Sequence, residues 1–164
     1  MLATVLAGIS LFGCGIQAGA LFMFHMGVLP TYKKVDIPTW MRIHVSMDRS
    51  IERFMPFLNL TTGVATLALL FMSDSAESVV LRIAGLCCNI ALALLSELVN
   101  VPINKKVKKA YEAVAAPVGA AGGVSVAMDD SELAGHRAYW ARANSWRTTV
   151  ICVGFALYVI AAFV

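Results

Sequence analysis

The sequence predicts an all-α integral membrane protein, a single four-helix bundle that takes up residues 1–164. Hydrophobic residues make up 59% of the 164-residue chain and charged residues only 14%, whereas about 25% of residues are charged in an average soluble domain. A soluble fold of this length cannot bury that much apolar surface, but a bilayer removes the need to bury it. The apolar residues also fall into long runs, each close to the roughly 20 residues that a transmembrane helix requires.

Four apolar runs define the predicted helices. The first carries no Asp, Glu, Lys or Arg from Met1 to Tyr32. No basic residue precedes it, so we interpret it as a helix and not as a cleaved signal peptide. The predicted helices cover approximately residues 2–29, 41–73, 79–100 and 131–164. A long loop, 101–130, separates the last two; it begins with four lysines and continues with a flexible, small-residue segment.

The lysine and arginine residues predict how the helices are oriented in the membrane. Of the 13, all but Arg82 lie in or beside the connection after helix one, or in or beside the connection between helices three and four. The positive-inside rule makes both connections cytoplasmic and places both termini on the non-cytoplasmic side. We therefore expect an integral membrane protein, in the plasma membrane if the source is bacterial. The net charge of +3 is small, so no nucleic-acid partner is expected.

Polar side chains gather at the predicted cytoplasmic end of all four helices. His25 lies near that end of helix one. On helix two, His44, Asp48 and Glu52 are spaced four residues apart and share one face. Similar stripes continue on helix three with Glu97, Asn100 and Asn104, and on helix four with His136 or Arg137, Trp140, Asn144 and Arg147. Ionisable groups are costly inside a bilayer, so this end of the bundle is the candidate functional site.

Some of these residues are candidate metal ligands. The set consists of two imidazoles and two carboxylates: His44, Asp48, Glu97 and His136. Such ligands suit iron, copper or manganese, although no HExxH, ExxH or CxxC motif occurs. The sequence therefore leaves the cofactor open between none and a single iron, copper or manganese ion. A bis-histidine haem is not expected, because His25 and His44 both lie too near the membrane surface to bury a macrocycle.

Two motifs resemble those of the anthrone oxygenase-like (DUF1772) integral membrane family. Asn100-Val101-Pro102-Ile103-Asn104 closes the third helix, and Trp140-x3-Asn144-x2-Arg147-Thr148 opens the fourth. Leu29-Pro30 and Met55-Pro56 are also similar to the family pattern, and the resemblance covers nearly the whole chain. It singles out six positions: Asn100, Pro102, Asn104, Trp140, Asn144 and Arg147. The family includes proteins that oxygenate anthrones to anthraquinones in aromatic polyketide pathways, so the resemblance implies an enzyme of secondary metabolism.

The resemblance and the polar stripes together predict a membrane oxygenase or oxidase that acts on a lipophilic aromatic or polyketide-like, anthrone-type substrate. The predicted catalytic residues are His44, Glu97 and Arg147. One of the first two removes a benzylic proton, and the arginine stabilises the phenolate that develops. The predicted substrate-binding residues are Asn100, Asn104, Trp140, Asn144 and His25. The substrate ring is expected to lie against Phe22, Phe24, Phe54, Phe57 and Trp140.

A non-catalytic accessory subunit or a small carrier remains the alternative. A carrier requires polar groups near the bilayer midplane; the candidates are Gln17, Asn59, Thr61, Thr62 and Asn89. A subunit requires an exposed face of small residues. Gly15 and Gly19 form a GxxxG motif on helix one, which suits close helix pairing and leaves a homo-oligomer open. The expected partners are thus the lipid bilayer and a lipophilic small molecule.

Overall fold

A computed structural model describes residues 1–51, 53–72, 75–115 and 129–164. These residues form α-helices and no β-strand, which confirms the predicted all-α class. The helices are α1 (Leu2–Met23), α2 (Leu29–Tyr32), α3 (Ile37–Ile51), α4 (Met55–Leu70), α5 (Ala76–Leu95), α6 (Val101–Ala115) and α7 (Asp130–Ile160). Glu52 of the predicted polar stripe and the small-residue segment within 116–128 lie outside the described residues.

Two pairs of helices are continuous through a π-helical turn. Phe24–Val28 joins α1 to α2, and Ser96–Asn100 joins α5 to α6. In both cases the second residue of the following helix is a proline, Pro30 or Pro102. A proline ring clashes with the carbonyl four residues earlier and provides no N–H, and a π-helical turn widens the helix at that point. The extra residue in each turn also rotates every later side chain relative to a regular α-helix.

Both continuous helices are long and apolar enough to cross a membrane. They are Leu2–Tyr32, with 31 residues, and Ala76–Val114, with 39 residues. The helix predicted over 41–73 is instead two helices, α3 and α4, which would make a third span if they act as one bent by 41°. Pro56 lies in the first turn of α4, where its missing N–H is tolerated. In α7 the first half is polar, and the apolar part begins only at Thr148.

Four helices surround an apolar core. α1 packs against α4 and α7, and α5 packs against the same two helices. The buried core residues are Cys14, Ala18, Leu92, Ile151 and Tyr158. Large apolar side chains such as Phe12, Phe57 and Leu60 point outward and are more than half exposed. An apolar exterior around an apolar core is expected of helices that face lipid and not water.

Buried polar side chains between these helices hydrogen-bond to one another. The Asn89 amide donates to Asn59 Oδ1 at 2.9 Å, which ties α5 to α4. Gln17 Nε2 lies 3.4 Å from Thr62 Oγ1, which ties α1 to α4. Interhelical bonds of this kind stabilise the association of apolar helices. Most of the residues considered for a carrier therefore act as contacts between helices.

α5 and α7 approach each other closely at Gly154. A methyl group at this position would lie 2.9 Å from Cβ of Cys88, an atom fixed to the backbone of α5. We expect Gly154→Ala to lower the free energy of unfolding by about 1–3 kcal/mol because the helices must separate, and a thermal melt in detergent measures it. Gly8→Ala is the matched control, since nothing lies within 4 Å of its added methyl. Equal melting temperatures for the two variants would contradict this packing.

A second core lies beyond the π-helical turns, where α3 packs on α6 and both contact α7. Its buried residues are Leu29, Tyr32, Trp40, Met41, Val45, Ile103, Val107, Leu133 and Trp140. The prediction of a loop over 101–130 is wrong for the part that forms α6. Ile103 and Val107 lie four residues apart and are buried, so they give this lysine-rich segment an apolar face against α3.

Candidate active site

Aromatic side chains surround His44 in the second core. We call Phe24, Tyr32, Trp40 and Trp140 the aromatic cluster. The His44 ring lies edge-on to Trp140 with ring centroids 4.8 Å apart, and 5.2 Å from Trp40. Phe24 packs edge-on against Trp140 at 5.5 Å. The imidazole is almost fully buried, with 3% of the residue exposed, and its neighbours are flat aromatic rings, the kind of side chain that packs against other aromatic rings.

The aromatic cluster is assembled from four different segments. Trp40 lies one turn before His44 on α3, Tyr32 ends α2, and the other two members come from the first π-helical turn and from α7. Arg137 on α7 holds the connection between α2 and α3 in place. Its guanidinium donates to the carbonyls of Tyr32 at 3.1 Å and Val35 at 2.8 Å. The guanidinium also lies 6.0 Å from the centre of the Trp40 ring. Arg137 therefore contacts both the Tyr32 backbone and the Trp40 ring of the aromatic cluster.

His44 is linked to Asp48 through Asn104. The Asn104 amide nitrogen donates to Asp48 Oδ1, and its Oδ1 lies 3.1 Å from His44 Nε2. A carboxylate oxygen only accepts, which fixes the Asn104 NH2 group toward Asp48. The amide oxygen then also only accepts, so the hydrogen of neutral His44 is on Nε2 and the lone pair is on Nδ1. Such a ring can act as a general base through Nδ1.

Asn144 and Arg147 bring a positive charge to the same region. Arg147 Nη1 donates to Asn144 Oδ1 at 3.3 Å, and the guanidinium is within electrostatic range of Asp48. Asn100 ends the π-helical turn Ser96–Asn100, which packs against α7. Asn100 and Asn144 are each only 2% exposed. We call the set Asp48, Asn100, Asn104, Asn144 and Arg147 the polar cluster.

Several polar atoms of this region are buried without a hydrogen-bond partner among the described residues. The donors are Trp40 Nε1, Asn100 Nδ2, Trp140 Nε1, Asn144 Nδ2 and Arg147 Nε, and the acceptor is Asn100 Oδ1. A buried polar group without a partner costs about 1–3 kcal/mol, so each instance requires an explanation. Because donors dominate, the site suits a ligand with acceptor oxygens, such as a ketone or a phenolate.

Glu97 is not brought to the other predicted site residues. Its side chain is exposed and lies on the π-helical turn Ser96–Asn100, whose extra residue breaks the expected alignment with Asn100 and Asn104. We therefore expect Glu97→Gln to keep turnover within about twofold of the wild-type rate, since exposed substitutions usually have small effects. A rate assay on purified protein measures this. A loss of tenfold or more would support Glu97 as a catalytic base.

The four predicted metal ligands do not meet. In the part of the chain that the structure describes, no three His, Cys, Asp or Glu residues are placed to hold one metal ion. His136 instead lies 3.7 Å from Glu132, one turn earlier on its own helix.

His25 and the five aromatic residues predicted to contact the substrate ring have mixed outcomes. His25 Nδ1 lies 3.3 Å from Ser145 Oγ, so it joins the first π-helical turn to α7. Phe24 and Trp140 belong to the aromatic cluster, whereas Phe22, Phe54 and Phe57 are more than half exposed. Sequence reasoning missed Tyr32 and Trp40, since both fell in a predicted connection. A signal existed for Trp40, which lies four residues before His44 on the same helical face.

A sequence comparison shows the family of this chain. Residues 43–157 match the family model described as anthrone oxygenase. The chain belongs to the anthrone oxygenase family. The matched range includes His44 and the whole polar cluster, but not Phe24, Tyr32 or Trp40 of the aromatic cluster. No curated protein and no solved structure matches the chain.

Proposed function

We propose that this member of the anthrone oxygenase family is a membrane oxygenase that converts an anthrone-type aromatic ketone to the corresponding quinone. The observation that carries the proposal is the set of buried, unpartnered hydrogen-bond donors beside the aromatic cluster. A flat aromatic ring with oxygen substituents satisfies both features at once. Ring stacking supplies affinity, and the donors orient the oxygens.

Binding places the ketone oxygen of the substrate toward the polar cluster. Arg147 Nε and Asn144 Nδ2 are donors without partners among the described residues, and both belong to α7. Donors fixed in a buried site stabilise a charge that develops on an oxygen far more than water-exposed donors do. The ketone oxygen becomes an oxyanion when the opposite methylene carbon loses a proton, so this end of the site suits that step.

His44 is the group that takes the proton. Its Nδ1 lone pair accepts a proton from the benzylic methylene carbon, and the electron pair left behind delocalises over the rings onto the ketone oxygen. The carbanion form of this anion then reacts with O2, which forms a new C–O bond at the same carbon, and the peroxide anion takes the proton back from His44 to become a hydroperoxide. Loss of water from the resulting hydroperoxide gives the second carbonyl. One oxygen atom enters the quinone and the other leaves as water, so the methylene group supplies all four electrons.

We place this site at the cytoplasmic end of a four-helix transmembrane bundle made of α1, α4, α5 and the apolar part of α7. The mutual packing of these helices and their exposed apolar side chains support the bundle. The distribution of lysine and arginine supports the orientation, with both termini outside. A lipophilic substrate would then partition into the bilayer and reach the site from the membrane.

Turnover of an anthrone by purified protein tests the proposed function. We expect one O2 consumed for each quinone formed, at a rate well above the spontaneous oxidation seen with heat-denatured protein in the same detergent. With 18O2, one labelled atom should appear in the new carbonyl. No acceleration over the denatured control, across hydroxylated and unsubstituted anthrones, would contradict the proposal and favour the non-catalytic alternative.

A further inference from the structure

Asp48 is a carboxylate that the proposed reaction does not use directly. It lies one helical turn after His44 on α3 and is partly buried. Its carboxylate accepts a hydrogen bond from Asn104 on α6, which in turn contacts His44. The carboxylate is thus linked to the base through an amide carried by another helix.

We propose that Asp48 is a positioning residue, which acts through the Asn104 amide to keep the hydrogen of His44 on Nε2 and leave Nδ1 free to accept a proton. The importance of this arrangement for turnover rests on the proposed function. The arrangement itself rests only on the contacts among these three side chains.

An amide side chain can face a neighbouring group with either its oxygen or its NH2 group. Alone beside His44, Asn104 can present either Oδ1 or its NH2 group to Nε2. If the NH2 group faced the ring, Nε2 would have to accept, the hydrogen would move to Nδ1, and Nδ1 could no longer act as a base. With Asp48 on the other side, that orientation would place the amide oxygen against a carboxylate. The carboxylate therefore selects the amide orientation, and the amide selects the tautomer.

The same chain of contacts supports His44 after it takes up a proton. The imidazolium then donates a charge-assisted bond to the Asn104 oxygen. The Asp48 carboxylate polarises the amide and strengthens that bond. Arg147 lies within electrostatic range of Asp48, so one carboxylate is shared between the proposed base and the proposed oxyanion-stabilising group.

Asp48→Asn is the direct test, because it keeps the size of the side chain and removes the group that fixes the amide. In wild-type protein, the 15N shifts of the His44 imidazole should show a protonated Nε2 and an unprotonated Nδ1. In Asp48→Asn, the signals should move toward a mixture of tautomers. We expect kcat to fall by about 10- to 1000-fold while KM stays within about twofold, because the aromatic cluster is untouched.

Two further variants separate positioning from a structural role. Glu112→Gln is the matched control, since the pair Arg49–Glu112 also joins α3 to α6, at 3.1 Å and with both side chains 54% exposed. It should change neither the tautomer nor kcat. The double variant Asp48→Asn/Asn104→Asp places a carboxylate directly against His44 Nε2, with an amide to support it. It should restore the Nε2 tautomer and part of the lost kcat.

The outcomes distinguish this inference from the proposed function. An unchanged His44 tautomer in a folded Asp48→Asn variant overturns the positioning role, whatever happens to turnover. A tautomer change in that variant, with recovery in the double variant, supports it. If the tautomer responds in this way but the wild-type protein oxidises no anthrone, the positioning role stands and the proposed oxygenase function falls.

Discussion

Replacing Arg147 with alanine should lower kcat for anthrone oxidation by roughly 100- to 1000-fold, the loss expected when one preorganised oxyanion donor is removed. The guanidinium is the cationic group that contacts Asn144, and its Nε is buried without a partner among the described residues. It is therefore free to donate to an oxygen of the substrate as negative charge develops. Stopped-flow absorbance of the quinone product, at saturating anthrone, measures kcat.

Two companion variants show whether the loss is specific to Arg147. Arg147→Lys keeps the charge and loses the planar fork of donors, so it should retain more activity than the alanine variant but less than wild type. Arg142→Ala removes an exposed arginine from the same helix, one that lies over the Tyr139 ring at 5.5 Å. It should leave kcat unchanged. Equal rates for wild type and a folded Arg147→Ala variant would eliminate Arg147 as the oxyanion-stabilising group.

Replacing His44 with glutamine should lower kcat by about 100- to 10,000-fold, the usual range for loss of a general base. Glutamine can still donate to Asn104 Oδ1, which His44 contacts at 3.1 Å, so the second core should remain packed. It has no basic nitrogen that can accept the proton. The expected signature is a loss in kcat with a small change in KM, since binding depends on the aromatic cluster and the unpartnered donors.

His136→Ala is the informative control for His44. His136 was predicted as a metal ligand together with His44, but its near neighbour is Glu132 on the same helix. The alanine variant should therefore turn over at close to the wild-type rate. A parallel loss of activity and of a tightly bound metal in both variants would instead revive a shared metal site.

The sequence was sufficient for those parts of the site that depend on spacing within one helix. His44 and Asp48 were expected on one face of a helix, and Asn144 and Arg147 on another, because residues three or four apart are neighbours on an α-helix. The structure confirms that local geometry. It also places Arg147 within electrostatic range of Asp48, as the polar stripes at one end of the bundle suggested.

The sequence was insufficient where the helix departs from 3.6 residues per turn. The π-helical turn Ser96–Asn100 puts Glu97 and Asn104 on different faces of the helix, whereas regular α-helical spacing predicts that they share one face. The prolines that follow both π-helical turns were visible, but a proline equally predicts a helix end. Because helix one was predicted to end before Pro30, Tyr32 and Trp40 fell in a predicted connection. Half of the aromatic cluster was therefore not predicted. The lysine-rich start of α6 was similarly interpreted as a loop, since its apolar face appears only against α3.

Ligand binding followed by tryptophan fluorescence tests the central claim most directly, because two of the three tryptophans belong to the aromatic cluster. The third, Trp146, is 61% exposed, so Trp146→Phe leaves only Trp40 and Trp140 as reporters. We predict that a hydroxyanthraquinone quenches this protein saturably in detergent, and that Asn144→Leu weakens the binding while His44→Gln does not. Quenching that rises linearly without saturation, and matches that of a tryptophan analogue in the same micelles, would contradict a binding site at the aromatic and polar clusters.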